Sequence, residues 1–138
     1  MVRTKLEQAR KASESGDPLS ADSTPRQVRE AIRDHRWTKL TAGLTPRFTQ
    51  ANLVVLAQGH AFDFLRFCLR NPKPCPLLEV TDPGSPEPKV TAPGADLRTD
   101  IPRYQIYRQG HLVEEVLDIT PYWRDDLVAF LLGCSFTF

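Results

Sequence analysis

Most of the 12 prolines in this 138-residue chain fall between Pro72 and Pro102. Proline fixes φ and has no backbone N–H, so this middle stretch can hold neither a long helix nor a central strand. The stretch should be irregular or turn-rich. At the start of the stretch, Asn71, Lys73 and Cys75 alternate with Pro72, Pro74 and Pro76. The alternation predicts a stiff backbone close to polyproline II geometry, able to present Lys73 or Cys75 to a pocket or to act as a plain connector from helix to strand. Pro83 to Pro93 reads as a loop.

Around this segment the periodicities are readable. Thr24, Pro25 and Gln27 make a capping box, and Val28, Ala31, Ile32 and His35 give the helix they open one apolar face. Thr41 to Leu44 reads as a turn and Leu53 to Leu56 as a buried strand. A second helix runs from about Gly59 to Arg70. Its apolar residues Ala61, Phe62, Phe64, Leu65, Cys68 and Leu69 cover so wide an arc that more than one neighbour is expected. Asn71 before Pro72 ends it. Leu77 to Val80 predicts a strand, and Tyr104 to Tyr107 with Leu112 to Val116 a hairpin turning at Gln109-Gly110. Thr120 and Pro121 open a predicted third helix with Trp123, Leu127, Phe130 and Leu131 on its buried face and Gly133 as its stop. The fold class expected is mixed α/β, with helices packed on a small mixed sheet beside a β-hairpin. Residues 1–23 are polar and read as a disordered leader.

A net charge of +1 with 25% charged residues supplies no field for nucleic acid or an anionic membrane. No apolar run reaches the length of a membrane span, and the N-terminus has no secretory h-region. Cytoplasmic location is the plain expectation. Arg3, Lys5, Arg10 and Lys11 hint at the mitochondrial matrix instead, against Glu7, Glu14 and Asp17. Cys68, Cys75 and Cys134 form no CxxC pair and do not cluster with His35, His60 or His111, so free thiols, no metal and no cofactor are expected.

Three places hold residues suited to chemistry. If Asp96 to Asp100 is extended, Asp96, Arg98 and Asp100 share one face, with Thr99 on the other and Arg103 and Tyr104 just beyond. An amino-acid substrate needs such a set: a guanidinium fork for a carboxylate, and carboxylates for an ammonium group. A solvated ladder of ion pairs would look the same. Asn71 and Lys73 are the second group. At Gly133-Cys134-Ser135, backbone N–H groups could converge on an anion, or Cys134 could simply pack as a small hydrophobe. No Ser-His-Asp order, P-loop or dinucleotide glycine fingerprint is present.

NPKPCPLLEV (71–80), GADLRTDIPRY (94–104), TAGL (41–44), QANLVVL (50–56) and WRDDLVAFLLGCSFTF (123–138) together resemble the D-glutamate cyclase family of hydro-lyases, from about Pro25 to the last residue. The resemblance implies conversion of D-glutamate to 5-oxo-D-proline and water. The α-amine must attack the γ-carboxyl carbon while one carboxyl oxygen leaves as water. On chemical grounds this calls for a carboxylate anchor (Arg98 or Arg103), a base or ammonium partner (Asp100 or Asp96), and oxyanion donors (backbone N–H groups near Cys134 and Ser135). Thr99, Tyr104, Asn71 and Lys73 complete the expected substrate contacts. The partner expected is a small acidic molecule, with self-association of the chain besides. Family members continue past a GCSF-type motif, so residues 24–138 are expected to be the N-terminal part of such a domain. The rival expectations are a truncated, non-catalytic or vestigial binder of a small acid, and a dehydratase of another small carboxylic acid.

Overall fold

The computed structural model describes residues 19–133. They divide into two compact units, residues 19–47 with 97–122 and residues 48–96 with 123–133. Each unit is therefore made from two separated stretches of chain. The expected α/β class holds: among the described residues there are two α-helices and five strands. Residues 1–18 of the expected leader, and the Cys134 to Phe138 segment, lie outside the described residues.

In the first unit, helix α1 spans Pro25–Arg33. The capping box forms as its sequence dictates: the Thr24 hydroxyl accepts the Gln27 N–H, and the Gln27 side chain accepts the Thr24 N–H. Val28, Ala31 and Ile32 are buried with Trp37 and Leu44, and Leu19 packs against this cluster. His35, expected to continue the helical face, lies just past the helix with φ +60°. Arg36 N–H reaches Ala31 C=O at 2.8 Å and His35 N–H reaches Ile32 C=O at 3.0 Å. These are the two bonds of a Schellman stop, with histidine where glycine is usual. Thr41 to Leu44 is a turn closed by the Leu44 N–H. Strands β3 (Tyr104–Arg108) and β4 (His111–Val116) form the expected hairpin. Its two-residue turn has φ +50° at Gln109 and +79° at Gly110, the left-handed pair that matches strand twist.

In the second unit, β1 (Ala51–Ala57) leads into α2 (Gln58–Arg70), which leads into β2 (Leu77–Val80). The two strands do not pair with each other. Strand β5 (Leu127–Gly133) lies between them, antiparallel to both, so the sheet contains only antiparallel pairs rather than the mixed pairing expected. Phe130 is fully buried and meets the Phe64 ring of α2 edge-on at 4.8 Å. Beyond Val80 the chain continues alongside β5: Thr81 N–H donates to Ala129 C=O, the Ala129 N–H donates to the Thr81 hydroxyl, and Gly84 N–H donates to Leu127 C=O. At Gly84, φ is +80° and an added Cβ would sit 2.9 Å from the Asp125 carbonyl oxygen, so no larger residue fits without displacement.

Two sequence expectations are corrected here. The third helix is absent. Thr120–Tyr122 is one 3₁₀ turn, and Leu127, Phe130 and Leu131 belong to β5. A short continuous apolar run fits a buried helix or a buried strand equally. Here β1 and β2 each offer an edge, and only an extended chain satisfies both. Strand β1, expected to be buried, is half-buried to exposed because it lies at the sheet edge, and β5 takes the centre.

Candidate functional site

The Asp96–Arg103 strip is not extended. Residues 97–100 form a turn, with Leu97 and Asp100 buried and Arg98 and Thr99 half-buried, so the alternation of faces expected from sequence is not realised. The cause is Asp100. Its carboxylate receives Nε of Arg33 at 2.9 Å and Nη2 at 2.7 Å, a bidentate fork, and the Thr99 hydroxyl at 2.8 Å. Only 2% of the Asp100 side chain is exposed, whereas the Arg33 side chain keeps 43%. A carboxylate drawn inward in this way pulls its turn with it.

Other bonds in the same unit fix the turn further. The Tyr104 hydroxyl donates to Leu97 C=O at 2.7 Å and accepts the Ile101 N–H at 3.3 Å, crossing the base of the turn. The Ile119 N–H donates to Arg98 C=O at 3.0 Å. Arg103 Nε donates to Thr38 C=O at 3.0 Å, and its Nη1 meets Glu115 of β4 at 2.9 Å. The unit thus gathers Arg98, Thr99, Asp100, Arg103 and Tyr104 of the expected site on one braced segment. Arg33, Thr38 and Glu115 are partners that sequence reasoning missed. Nothing in a sequence pairs Arg33 with a residue 67 positions away. The only hint was a basic residue at the end of an amphipathic helix.

Asp96, Asn71 and Lys73 belong to the second unit. Asn71 terminates α2: its N–H donates to Cys68 C=O at 3.1 Å, and its side-chain amide donates to Phe67 C=O at 2.8 Å. Its own carbonyl accepts the Cys75 N–H at 3.0 Å, which closes a turn in place of the expected polyproline II segment. Pro72 and Pro74 stiffen that turn without extending it, because a single backbone bond spans them. Lys73 is exposed at its tip. Cys134 and Ser135, with the anion nest expected there, lie outside the described residues.

The surroundings of Cys68, Glu79 and Tyr122 move their pKa values from the ordinary ones. Burial, and then the neighbouring Cys75, push the Cys68 thiol up. Burial pushes Glu79 up, but bonds from the Thr91 hydroxyl and N–H, and from Val90 and Lys89, outweigh it and hold the carboxyl below its ordinary value. The bond to Glu114 pushes the Tyr122 phenol up. Among the described residues no group of three or more His, Cys, Asp or Glu side chains could hold a metal ion, and no helix is long and apolar enough to cross a membrane.

No family model matches the chain. Among curated proteins, one of Rubrobacter xylanophilus named "Putative hydro-lyase" is 67% identical over 112 residues, covering 81% of this chain and 43% of its own length. A protein of Bacillus velezensis with the same description is 60% identical over 118 residues, covering 86% and 45%. One of Stutzerimonas stutzeri is 61% identical over 117 residues, covering 85% and 44%. The chain spans somewhat under half the length of these relatives. Identity this high over most of the chain relates it to the hydro-lyase family that those names describe.

Proposed function

We propose that this chain supplies the substrate-anchoring part of a hydro-lyase acting on a small amino acid, with D-glutamate as the substrate and 5-oxo-D-proline and water as products. The observation that carries the reading is 67% identity to a relative named for hydro-lyase chemistry. The braced turn of residues 97–104 supports it. Preorganised donors cost little reorganisation when an anion arrives, and this turn is held from below by Arg33–Asp100 and by the Tyr104 hydroxyl.

Roles follow from what each side chain already does. Asp100 is engaged by a guanidinium fork and a hydroxyl, so it acts as a positioning residue that sets the turn. Arg98 is the proposed anchor for the substrate carboxylate, with Arg103 and Thr99 beside it in the sequence. For the base that frees the amine, Asp96 remains the proposal on sequence grounds. The oxyanion donors proposed are backbone N–H groups near Cys134 and Ser135. Cyclisation provides its own nucleophile, the substrate amine, so no covalent enzyme intermediate is required.

The test is a chimera in which residues 24–133 replace the matching part of the Rubrobacter xylanophilus relative, assayed for 5-oxoproline release from D- and L-glutamate. Release from D-glutamate, lost at least tenfold in Arg98→Ala and retained in Arg66→Ala, is the expected result. A folded, active chimera on which both substitutions act equally would remove Arg98 from the site. Activity on a different small acid, with none on D-glutamate, would keep the hydro-lyase and discard the substrate.

A further inference from the structure

Two thiols that the proposed chemistry leaves unused meet where α2 hands over to β2. Cys68 lies in the last turns of α2 and is 1% exposed, and Cys75 is half-buried. The intervening turn folds back on itself through the Asn71 N–H to Cys68 C=O and the Cys75 N–H to Asn71 C=O bonds, at 3.1 and 3.0 Å. The Asn71 amide on Phe67 C=O pins it to the helix. Doubling back in this way, the turn sets Cys75 beside Cys68, close enough to help push the Cys68 thiol up. Pro72 and Pro74 restrict the segment between them, so little chain freedom is left to lose on closing a covalent ring.

We propose that Cys68 and Cys75 are a reversible dithiol–disulfide site, oxidised by low-molecular-weight disulfides. The two residues have unequal roles. Cys68 is enclosed, whereas half-buried Cys75 is the one an external reagent reaches. The Cys75 thiolate attacks one sulfur of the reagent RSSR. That S–S bond breaks, a mixed disulfide forms, and RS⁻ leaves to be protonated. The Cys68 sulfur then attacks the Cys75 sulfur and gives up its proton as the second RS⁻ departs. Two protein thiols and one RSSR become one protein disulfide and two RSH, a two-electron exchange that balances. The bond would tie the end of α2 to the start of β2. It does not depend on the hydro-lyase reading.

The experiment uses the full chain carrying Cys134→Ser, equilibrated with mixtures of oxidised and reduced glutathione. Free thiols are titrated, and tryptic peptides are identified by mass. Cleavage after Arg70 separates the two cysteines, so only a disulfide can keep their peptides together. The expected result is paired loss of both thiols, a linked peptide, and full reversal by dithiothreitol. Cys68→Ala in the same background should instead accumulate glutathione on Cys75, because the second attack has no donor. If that variant fails to fold, the parent measurement decides alone. Two free thiols in the folded protein under the most oxidising mixture would overturn the proposal. So would a stable mixed disulfide on Cys75 while Cys68 stays reduced.

Discussion

The Arg33–Asp100 fork decides the local conformation of the candidate site, and its asymmetry sets what losing it costs. Asp100 is almost wholly enclosed, whereas Arg33 remains in reach of water. Breaking a fully buried pair costs about 3–5 kcal/mol, because the surviving charge has no partner; partial exposure lowers this to about 1–3 kcal/mol here. Arg33→Ala should therefore lower the urea midpoint clearly. Asp100→Asn should cost less than Arg33→Ala, since a neutral amide is cheaper to bury than a carboxylate that has lost its guanidinium fork. An unchanged midpoint in Arg33→Ala would mean that the turn is held by Tyr104 and Ile119 alone. The residue types of the candidate strip were legible in the sequence; the pairing of Asp100 with Arg33 was not, because that partner comes from a helix 67 positions earlier.

At the scale of elements, short-range signals were readable and long-range ones were not. The capping box of α1, the Gln109-Gly110 hairpin and the limits of β2 depend on neighbours within a few residues, and each formed as its sequence indicates. The run from Leu127 to Leu132 did not, because its choice of strand over helix is made by β1 and β2, both distant in sequence. Truncating Phe130, at the centre of that strand, to alanine should cost about 3–5 kcal/mol, while Phe62→Ala on the exposed side of α2 should cost under about 1 kcal/mol. Equal effects in denaturant unfolding would mean the strand is not the core it resembles. The loop after β2 offers a pH test. Glu79 on β2 accepts the Val90 and Thr91 N–H groups and the Thr91 hydroxyl. Its folded-state pKa lies below the ordinary 4.5, so its contribution is present above that value and lost as pH falls through the folded one. Glu79→Gln should flatten the acid limb of stability below about pH 4.5. An acid limb identical to wild type would show that the loop is held by other bonds.

For the whole molecule, the exposed apolar surface carries the clearest prediction. Phe62 and Leu69 fall seven residues apart on α2, at 67% and 65% exposure, with half-buried Leu65 between them on the same helical face. Among the described elements, the inner side of this wide apolar arc packs mainly on β1 and β5. Such a stripe in water favours association. Sedimentation of the 138-residue chain should reveal species heavier than a monomer, and Phe62→Lys with Leu69→Lys should reduce them. A strictly monomeric wild type at tens of micromolar would refute this. The strand order has a different reach, into protein synthesis. Strands β1 and β2 both leave the ribosome before β5, which among the described residues is the strand that pairs with both. Until residue 133 is clear of the exit tunnel, the nascent chain carries two strand edges with no native partner. Through that interval those edges are open to pairing with other chains, so synthesis of β5 is the step that closes them.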